Sequence, residues 1–538
     1  MFRDHRDRQR SMTRGQPSAA IFEGTSMQAI RRNRSLMLKA ALAVGLVAGA
    51  DALFYRGKAA LGWSIGLFAI ALAGAAVAVH PALRRSRTAL SLTLLAFLFA
   101  LIQIETVSLL AWVLYWLALM LAVMSCRAGG RHDAWPWIQR LVPAGLYALV
   151  KPALDVRRLW RASPGVRLIK LDALWQALVL PLVGGAVFLV LFAVANPVIK
   201  TTLGGLTWPD IDLSRLAFWG FALVVAWCVL RPPFRRRPRL KRLPATWTPA
   251  VASNTSILLS LGVFNALFAV ENGLDLAFLW SGAPLPGKVT MADYAHQGAF
   301  SLIVAALLVA GFVLVALDPR SPSARVKGVR GLVVLWIGQT VFLVASSILR
   351  TWDYAQSYSL TGFRICALAW MGLVALGLVL VCWRLLRGKS SAWLVNANLA
   401  ALGVVLAVLS VVDVNALSSA WNVRNAREVG GKGVELDVCF LQRQGQSALV
   451  PLAELLRRPL PQTLRARVAS VFWQDLKAED QDEFEWRSWT WRRARRMERV
   501  KALTRDIDWG LPQPITPCWG APPPVAQPTA PLTSAPRA

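Results

Sequence analysis

Two carboxylates four residues apart, Glu271 and Asp275, interrupt an otherwise apolar run, ILLSLGVFNALFAVENGLDLAFLW at 257–280. On a helix that spacing puts both acids on one face. An ionised acid at the centre of a membrane helix costs about 2.5–3.5 kcal/mol, so it needs a reason to be there. If the helix runs 256–280, Glu271 lies roughly 13 Å from its far end at about 1.5 Å per residue. The pair would then suit a proton, a cation or a cationic substrate. A second reading breaks the helix near Gly273, puts Glu271 at the membrane surface and lays LDLAFLW flat on it. Both stay open on the sequence. Arg350 and Asp353 are spaced to pair if their connection continues as a helix. Asp51 and Glu105, each taken alone, read as interfacial carboxylates without a role.

Other chemical signatures are missing. The chain has no phosphate-binding loop, nucleophile elbow, CxxC or HExxH. His5, His80, His132 and His296 are scattered, whereas a zinc site needs three or four convergent ligands. No metal and no cofactor is expected.

The elements that must position these residues are apolar helices. Hydrophobic residues make up 56% of the 538 and charged ones 17%, against roughly 25% charged in soluble domains; mean hydropathy is +0.46. About 20 apolar residues cross a bilayer as a helix, which satisfies its own backbone. The predicted spans are 36–54, 59–80, 88–104, 106–125, 173–195, 215–230, 256–280, 298–317, 330–349, 362–383 and 391–412. Only Glu105 separates the third from the fourth, as a tight hairpin or a re-entrant pair. The sixth is short and extends naturally over Leu213 and Ser214. The fold class is therefore all-α: a polytopic transmembrane bundle of about eleven spans with a small, mainly helical C-terminal extramembrane domain. Of the two GxxxG pairs, Gly45–Gly49 and Gly62–Gly66, neither is specific in glycine-rich spans.

Net charge is +31, yet its placement argues against nucleic acid. Every second connection is rich in Arg and Lys, as in RPPFRRRPRLKR at 231–242, and the alternate ones are poor. The positive-inside rule then puts the N-terminus in the cytoplasm and residues after 413 outside. Residues 1–35 read as a disordered basic cytoplasmic arm and 36–412 as the bundle. An amphipathic cytoplasmic segment, or a linker contacting the bundle, covers 131–171. Residues 413–510 form the extracytoplasmic domain, with helical runs at 446–458 and 463–503, and 511–538 a disordered Pro/Ala-rich tail. Asp51, Glu105, Glu271, Asp275, Asp293, His296, Arg350, Asp353, Tyr354, Tyr358, Asp413 and Arg424 then share the outer side. Cys439 and Cys518 fall there too, where disulfides persist; a bridge between them and two unpaired thiols are the alternatives.

Several blocks resemble a known family. ADALFYRGKAALGWSIGLFAIAL (50–72), PLPGKVTMADYAHQGAFSLI (284–303), ILRTWDYAQSYSLTGFRICAL (348–368), ALSSAWNVRNA (416–426), VELDVCFLQRQGQSALVPLAELL (434–456) and FEWRSWTWRRAR (484–495) occur in one order. They are similar to bacterial membrane proteins of the domain-of-unknown-function family 4173, close to family 4153. The resemblance implies motif positions at Asp293, Tyr294, Gly298, Arg350, Tyr354, Tyr358, Thr361, Arg364, Asn422, Leu436, Asp437, Trp486 and Trp489. His296 and Gln297 stand where the family usually carries an arginine pair. The resemblance implies no activity.

The candidate outer-face site thus comprises Glu271, Asp275, Asp293, Tyr294, Arg350, Asp353, Tyr354, Tyr358, Arg364, Asn422 and Arg424. Three classes of function are compatible with it. One is a non-catalytic envelope scaffold or sensor, partnered by the lipid bilayer and by an envelope protein through the C-terminal domain. Another is a proton- or cation-coupled permease using Glu271. The third is a membrane-embedded transferase acting on the outer face. The first is adopted, because no catalytic set is visible.

Overall fold

A computed structural model describes residues 19–55, 61–128, 133–162, 212–232, 254–281, 326–482 and 486–507, with isolated helical residues at 181 and between 304 and 312; side chains of the first helix are described from Ser35. Every regular element among them is helical. In chain order, leaving aside the one-turn helix Ala82–Arg85 and the 3-10 turns, they are α1 (Ala19–Ala50, wound on as a π-turn to Tyr55), α2 (Trp63–Val79), α3 (Arg87–Glu105), α4 (Leu109–Ala128) and α5 (Ala134–Ala162). Then come α6 (Leu213–Leu230), α7 (Asn254–Leu274, continuing as π-helix Asp275–Trp280), α8 (Lys327–Tyr358), α9 (Gly362–Arg387) and α10 (Ser391–Val411). The C-terminal segment holds α11 (Val414–Asn425), α12 (Val438–Gln444), α13 (Leu449–Leu456), α14 (Gln462–Asp482) and α15 (Trp491–Thr504).

Among the described residues, eight helices are long and apolar enough to cross a membrane: α1 from Ser35, α3, α4, α6, α7, α8, α9 and α10. They match eight of the eleven predicted spans. A ninth, predicted at 59–80, is the shorter apolar helix α2 of 17 residues. Most of the spans predicted at 173–195 and 298–317 lies outside the described residues. Large apolar side chains such as Leu94, Leu98 and Leu101 of α3, and Val404 and Val408 of α10, point outward. Apolar surface of that kind belongs against lipid, and the chain is a multi-pass membrane protein.

Side-chain caps set several helix starts. Asp212 accepts from the Ser214 and Arg215 N–H groups at 3.1 Å, starting α6 over Leu213 and Ser214 as expected. Thr361, Ser390 and Asp413 do the same for α9, α10 and α11, and Gly388 ends α9 in the left-handed region at φ 61°. α3 and α4 form a tight hairpin, closed where Gln103 Nε2 donates to the Ser108 carbonyl at 2.7 Å and Ser108 N–H to Gln103 Oε1 at 3.1 Å.

The apolar core divides in three. One part joins α1–α4 to α6, a second joins α7–α10, and a third fills the C-terminal segment around Leu441, Leu449, Leu452 and Phe472. Contacts at helix termini sort into two ends of the bundle. At one end Asp155 meets Arg231 at 3.4 Å, His80 the Val229 carbonyl at 3.2 Å, and Arg330 the Leu386 carbonyl at 2.6 Å. This end carries the described basic connections. The opposite end gathers Asp51, Trp63, Glu105, Asp212, Leu360 and Val411, and the C-terminal segment packs there. We call it the domain end.

One open alternative is decided and other expectations change. α7 does not break at Gly273: space around that glycine is open, and the chain winds on as a π-helix. Arg350, Asp353, Tyr354 and Tyr358 stand on α8, which continues past residue 349 because RTWDYAQSY contains no proline or glycine to stop it. The helical run expected over 463–503 is two helices, parted between Asp482 and Trp491 where WRSW packs onto α2. α1 also reaches back to Ala19, into the stretch read as a disordered arm. Segment 131–171 contains α5, which touches the bundle through Asp133, Ala134 and Asp155 and leaves Ile138, Leu146 and Val150 exposed. The tail at 511–538 lies outside the described residues.

Candidate functional site

The two acids on α7 part company. Asp275 is buried against Arg350 of α8, with side-chain exposures of 0% and 3%, while Glu271 is 44% exposed and stands 3.7 Å from the same guanidinium. The pairing expected between Arg350 and Asp353 gives way to this one, since α8 packs along α7 and turns Arg350 toward it. A buried carboxylate without a cation would cost several kcal/mol.

Below the pair runs a polar seam that sequence reasoning missed. Asn265 Nδ2 donates to the Leu332 carbonyl at 3.1 Å, Gln339 Nε2 to Asn265 Oδ1 at 3.3 Å, and Asn272 Nδ2 to the Gln339 carbonyl at 3.3 Å. Trp280 Nε1 reaches Ser346 Oγ at 3.0 Å. The available signal was the seven-residue spacing of Asn265 and Asn272 on one helix, matched by Gln339 and Ser346 on the other.

One turn above Arg350 the motif residues lock the connection from α8 to α9. Arg364 stacks over the Tyr354 ring at 4.3 Å and donates to the Tyr358 carbonyl at 2.9 Å and to the Ser359 carbonyl. Tyr354 and Tyr358 rings lie 4.7 Å apart. Asn422 of α11 clasps Leu360 from both sides, accepting from its N–H at 2.7 Å and donating to its carbonyl at 2.8 Å. Between these clamps Ser359 sits at φ 70°, unfavourable for a residue with a Cβ. Arg424 is exposed at the end of α11 and Asp353 half-buried on α8. Asp293 and Tyr294 lie outside the described residues.

The acids read as lacking a role have partners. Asp51 takes both ends of the Arg215 guanidinium at 2.9 and 2.6 Å and the Trp219 indole at 2.9 Å. Glu105 pairs with Arg495 and, at 3.6 Å, with Arg492 of α15. Arg492 also donates to the Val411 carbonyl at 2.6 Å. Trp63 N–H donates to the Trp489 carbonyl at 2.9 Å and its indole to the Trp486 carbonyl at 2.8 Å. Gly62 permits that approach, since a Cβ there would overlap the Arg487 carbonyl and lie 2.5 Å from the Ser488 carbonyl carbon. Gly66 is likewise pressed to α3, where a Cβ would lie 2.9 Å from the Ala100 carbonyl oxygen, whereas Gly45 and Gly49 face open space.

Asp413, at the hinge into α11, is held by Arg496 at 2.6 Å and by Ser447. Burial opposes its ionisation, but the Ala416 N–H, Arg496 and Ser447 together keep its carboxyl below the ordinary value. On α14, burial and then the neighbouring Glu479 carboxylate push Asp475 up to about 6. Glu479 is bound by Arg493 at 2.6 Å. Cys439 is disulfide-bonded, and Cys518, its partner in one of the two alternatives, lies outside the described residues. Cys126, Cys228, Cys366 and Cys382 are in no disulfide.

A family model described as "Domain of unknown function (DUF4153)" matches residues 89–455, from the first turn of α3 to the last turn of α13. No curated protein and no solved structure matches the chain.

Proposed function

The chain belongs to the DUF4153 family, and on that footing we propose a non-catalytic scaffold or sensor of the bacterial inner membrane, its C-terminal domain fixed to the extracytoplasmic end of the bundle. One observation carries the reading: five polar residues at the domain end hold elements together. Asp51 is taken by Arg215, Asp275 by Arg350, Glu105 by Arg495, Asp413 by Arg496 and Asn422 by Leu360. A catalytic or ion-binding acid instead needs an open face toward its substrate. A rigidly mounted domain with its own core suits an envelope partner.

Eleven crossings are part of this proposal. Asp155 and Asp212 meet opposite ends of α6, about 27 Å apart over its length, so one passage between residues 162 and 212 fits the span expected at 173–195. Trp280 lies level with Ser346 and Lys327 at the far end of α8, so one passage between 281 and 326 fits 298–317. The alternation of basic connections supports a cytoplasmic N-terminus. Reporter fusions after Asp413 test the orientation: activity only from an extracytoplasmic reporter is expected, and a cytoplasmic signal overturns it.

Transport draws on a different observation, the seam of Asn265, Gln339 and Asn272 leading to Asp275. Asn272 Oδ1 and Gln339 Oε1 are buried there without hydrogen-bond partners among the described residues. The two readings separate on Asp275→Leu with Arg350→Met, which keeps the packing and removes both charges. Full complementation of a deletion strain supports the scaffold, and loss of function with normal folding supports transport.

A further inference from the structure

We infer that α5 lies in the surface of the bilayer, at the end of the bundle opposite the domain end, with its outward side against the acyl chains of that leaflet. Its two ends fix its course. At the start the Ala134 N–H donates to Asn396 Oδ1 at 2.8 Å, and Asn396 Nδ2 donates to Asp133 at 3.2 Å. Farther along, Asp155 accepts from the Trp227 indole N–H at 3.1 Å and pairs with Arg231 at 3.4 Å. Asn396 stands in the second turn of α10 and Trp227 in the last turn of α6, each within about 8 Å of its helix end on that side. From Ala134 to Asp155 the helix advances about 32 Å. A helix of that length held at one level by both ends runs across the spans, along the membrane plane.

Its sides are sorted against contact with water. Among the described residues of α5 the exposed ones are Ile138, Pro143, Gly145, Leu146, Val150 and Ala153, with Leu146 70% exposed. The charged ones, Arg140, Lys151 and Asp155, are half-buried or buried. At about 100° per residue, Ile138, Leu146, Val150 and Ala153 share an arc of about 120°, and the three charged residues fall opposite it. Arg140 lies over the Trp137 ring at 5.4 Å and Lys151 over the Tyr147 ring at 6.0 Å, the mixture of base and aromatic that suits the headgroup zone. Beyond Ala153 the sequence turns basic at Arg157, Arg158 and Arg161, so the apolar side spans 138–153.

Position names lipid as the occupant. α5 touches α4, α6 and α10, which are long and apolar enough to cross the membrane, so the acyl chains around those helices also border α5. Laid beneath the ends of the spans, the helix would turn its apolar side to water. Laid beside them, it sets that side against hydrocarbon and keeps Arg140 and Lys151 within reach of the headgroups. A helix in the membrane plane buries its apolar face about 5–10 Å into the boundary between headgroups and acyl chains. The inference is independent of which way the chain is oriented, and of whether it is a scaffold or a transporter.

The test uses the full chain in nanodiscs of dioleoylphosphatidylglycerol and dioleoylphosphatidylcholine. It carries Leu146→p-benzoylphenylalanine or Val150→p-benzoylphenylalanine, both at exposed positions. On irradiation the excited ketone inserts into a C–H bond within its reach, and the product is weighed by mass spectrometry. Both variants should gain the mass of one phospholipid. A cross-link to another part of the chain or to a second copy, at either position, overturns the inference, because that side is then covered by protein. An unchanged mass after irradiation also overturns it, because the side then faces water and is open to a soluble partner.

Discussion

Arg350 reaches across 75 positions to Asp275, and the two charges bury one another between α7 and α8. Removing one partner leaves an uncompensated charge, whereas removing both leaves an apolar contact. Arg350→Ala should therefore cost about 3–5 kcal/mol. The double change Asp275→Leu with Arg350→Met should return to within about 1 kcal/mol of the parent. Thermal unfolding of the three proteins in detergent checks this; a double variant as unstable as the single one refutes it.

Gly62 governs docking of the C-terminal segment. Gly62→Ala drives a methyl group into the backbone at Arg487 and Ser488. It should lift residues 486–490 from α2 and speed amide exchange in α15 about tenfold or more, the equivalent of ~1.4 kcal/mol of lost local stability. Exchange in α7 and α8 should not change. Unaltered exchange in α15 would show that docking does not depend on this approach.

The α8–α9 connection carries stored strain with two clamps on it. Asn422→Ala leaves the Leu360 N–H and carbonyl without their partner, at a cost of about 2–4 kcal/mol. Ser359→Gly relieves the positive φ and should add about 1 kcal/mol. Denaturation midpoints of the two variants should move in opposite directions.

Asp475 makes stability depend on pH. Its carboxyl is held at about 6, above the ordinary value, so the folded state binds the proton more tightly than the unfolded one. The stability this confers is present at pH 4 and is lost as pH rises through about 6. Asp413 acts oppositely, losing its contribution only as pH falls below the ordinary carboxylate range. Melting of the C-terminal segment should occur at higher temperature at pH 5 than at pH 7.5, and Asp475→Asn should flatten that difference.

Alkylation under native, non-reducing conditions should spare Cys439. Peptide mapping should find it joined to Cys518, with Cys126, Cys228, Cys366 and Cys382 as thiols. A free Cys439 in protein taken directly from cells would put the C-terminal segment in a reducing compartment.

The spans were legible because twenty contiguous apolar residues have few other fates in a helical chain, and the caps at Asp212 and Asp413 are local. The shared face of Glu271 and Asp275 was equally local. Their partner was not: periodicity cannot say which helix packs beside which, so Arg350 was matched to the nearby Asp353. Asp51 and Glu105 looked idle for the same reason, with partners 164 and 390 positions away. The break after Asp482 was hidden by a helix-compatible sequence, which tertiary contact with Trp63 overrides.

The reach from Glu105 to Arg495 also sets an order of events. During synthesis the α3–α4 hairpin emerges 390 residues before its last partner, an interval of roughly 20–80 s at about 5–20 residues per second. For that time Trp63 and Glu105 wait uncovered at the membrane surface. Closure of the molecule thus requires that translation has passed Arg495, and a chain cut short between Val411 and Arg495 keeps its spans but lacks the last partner of Glu105.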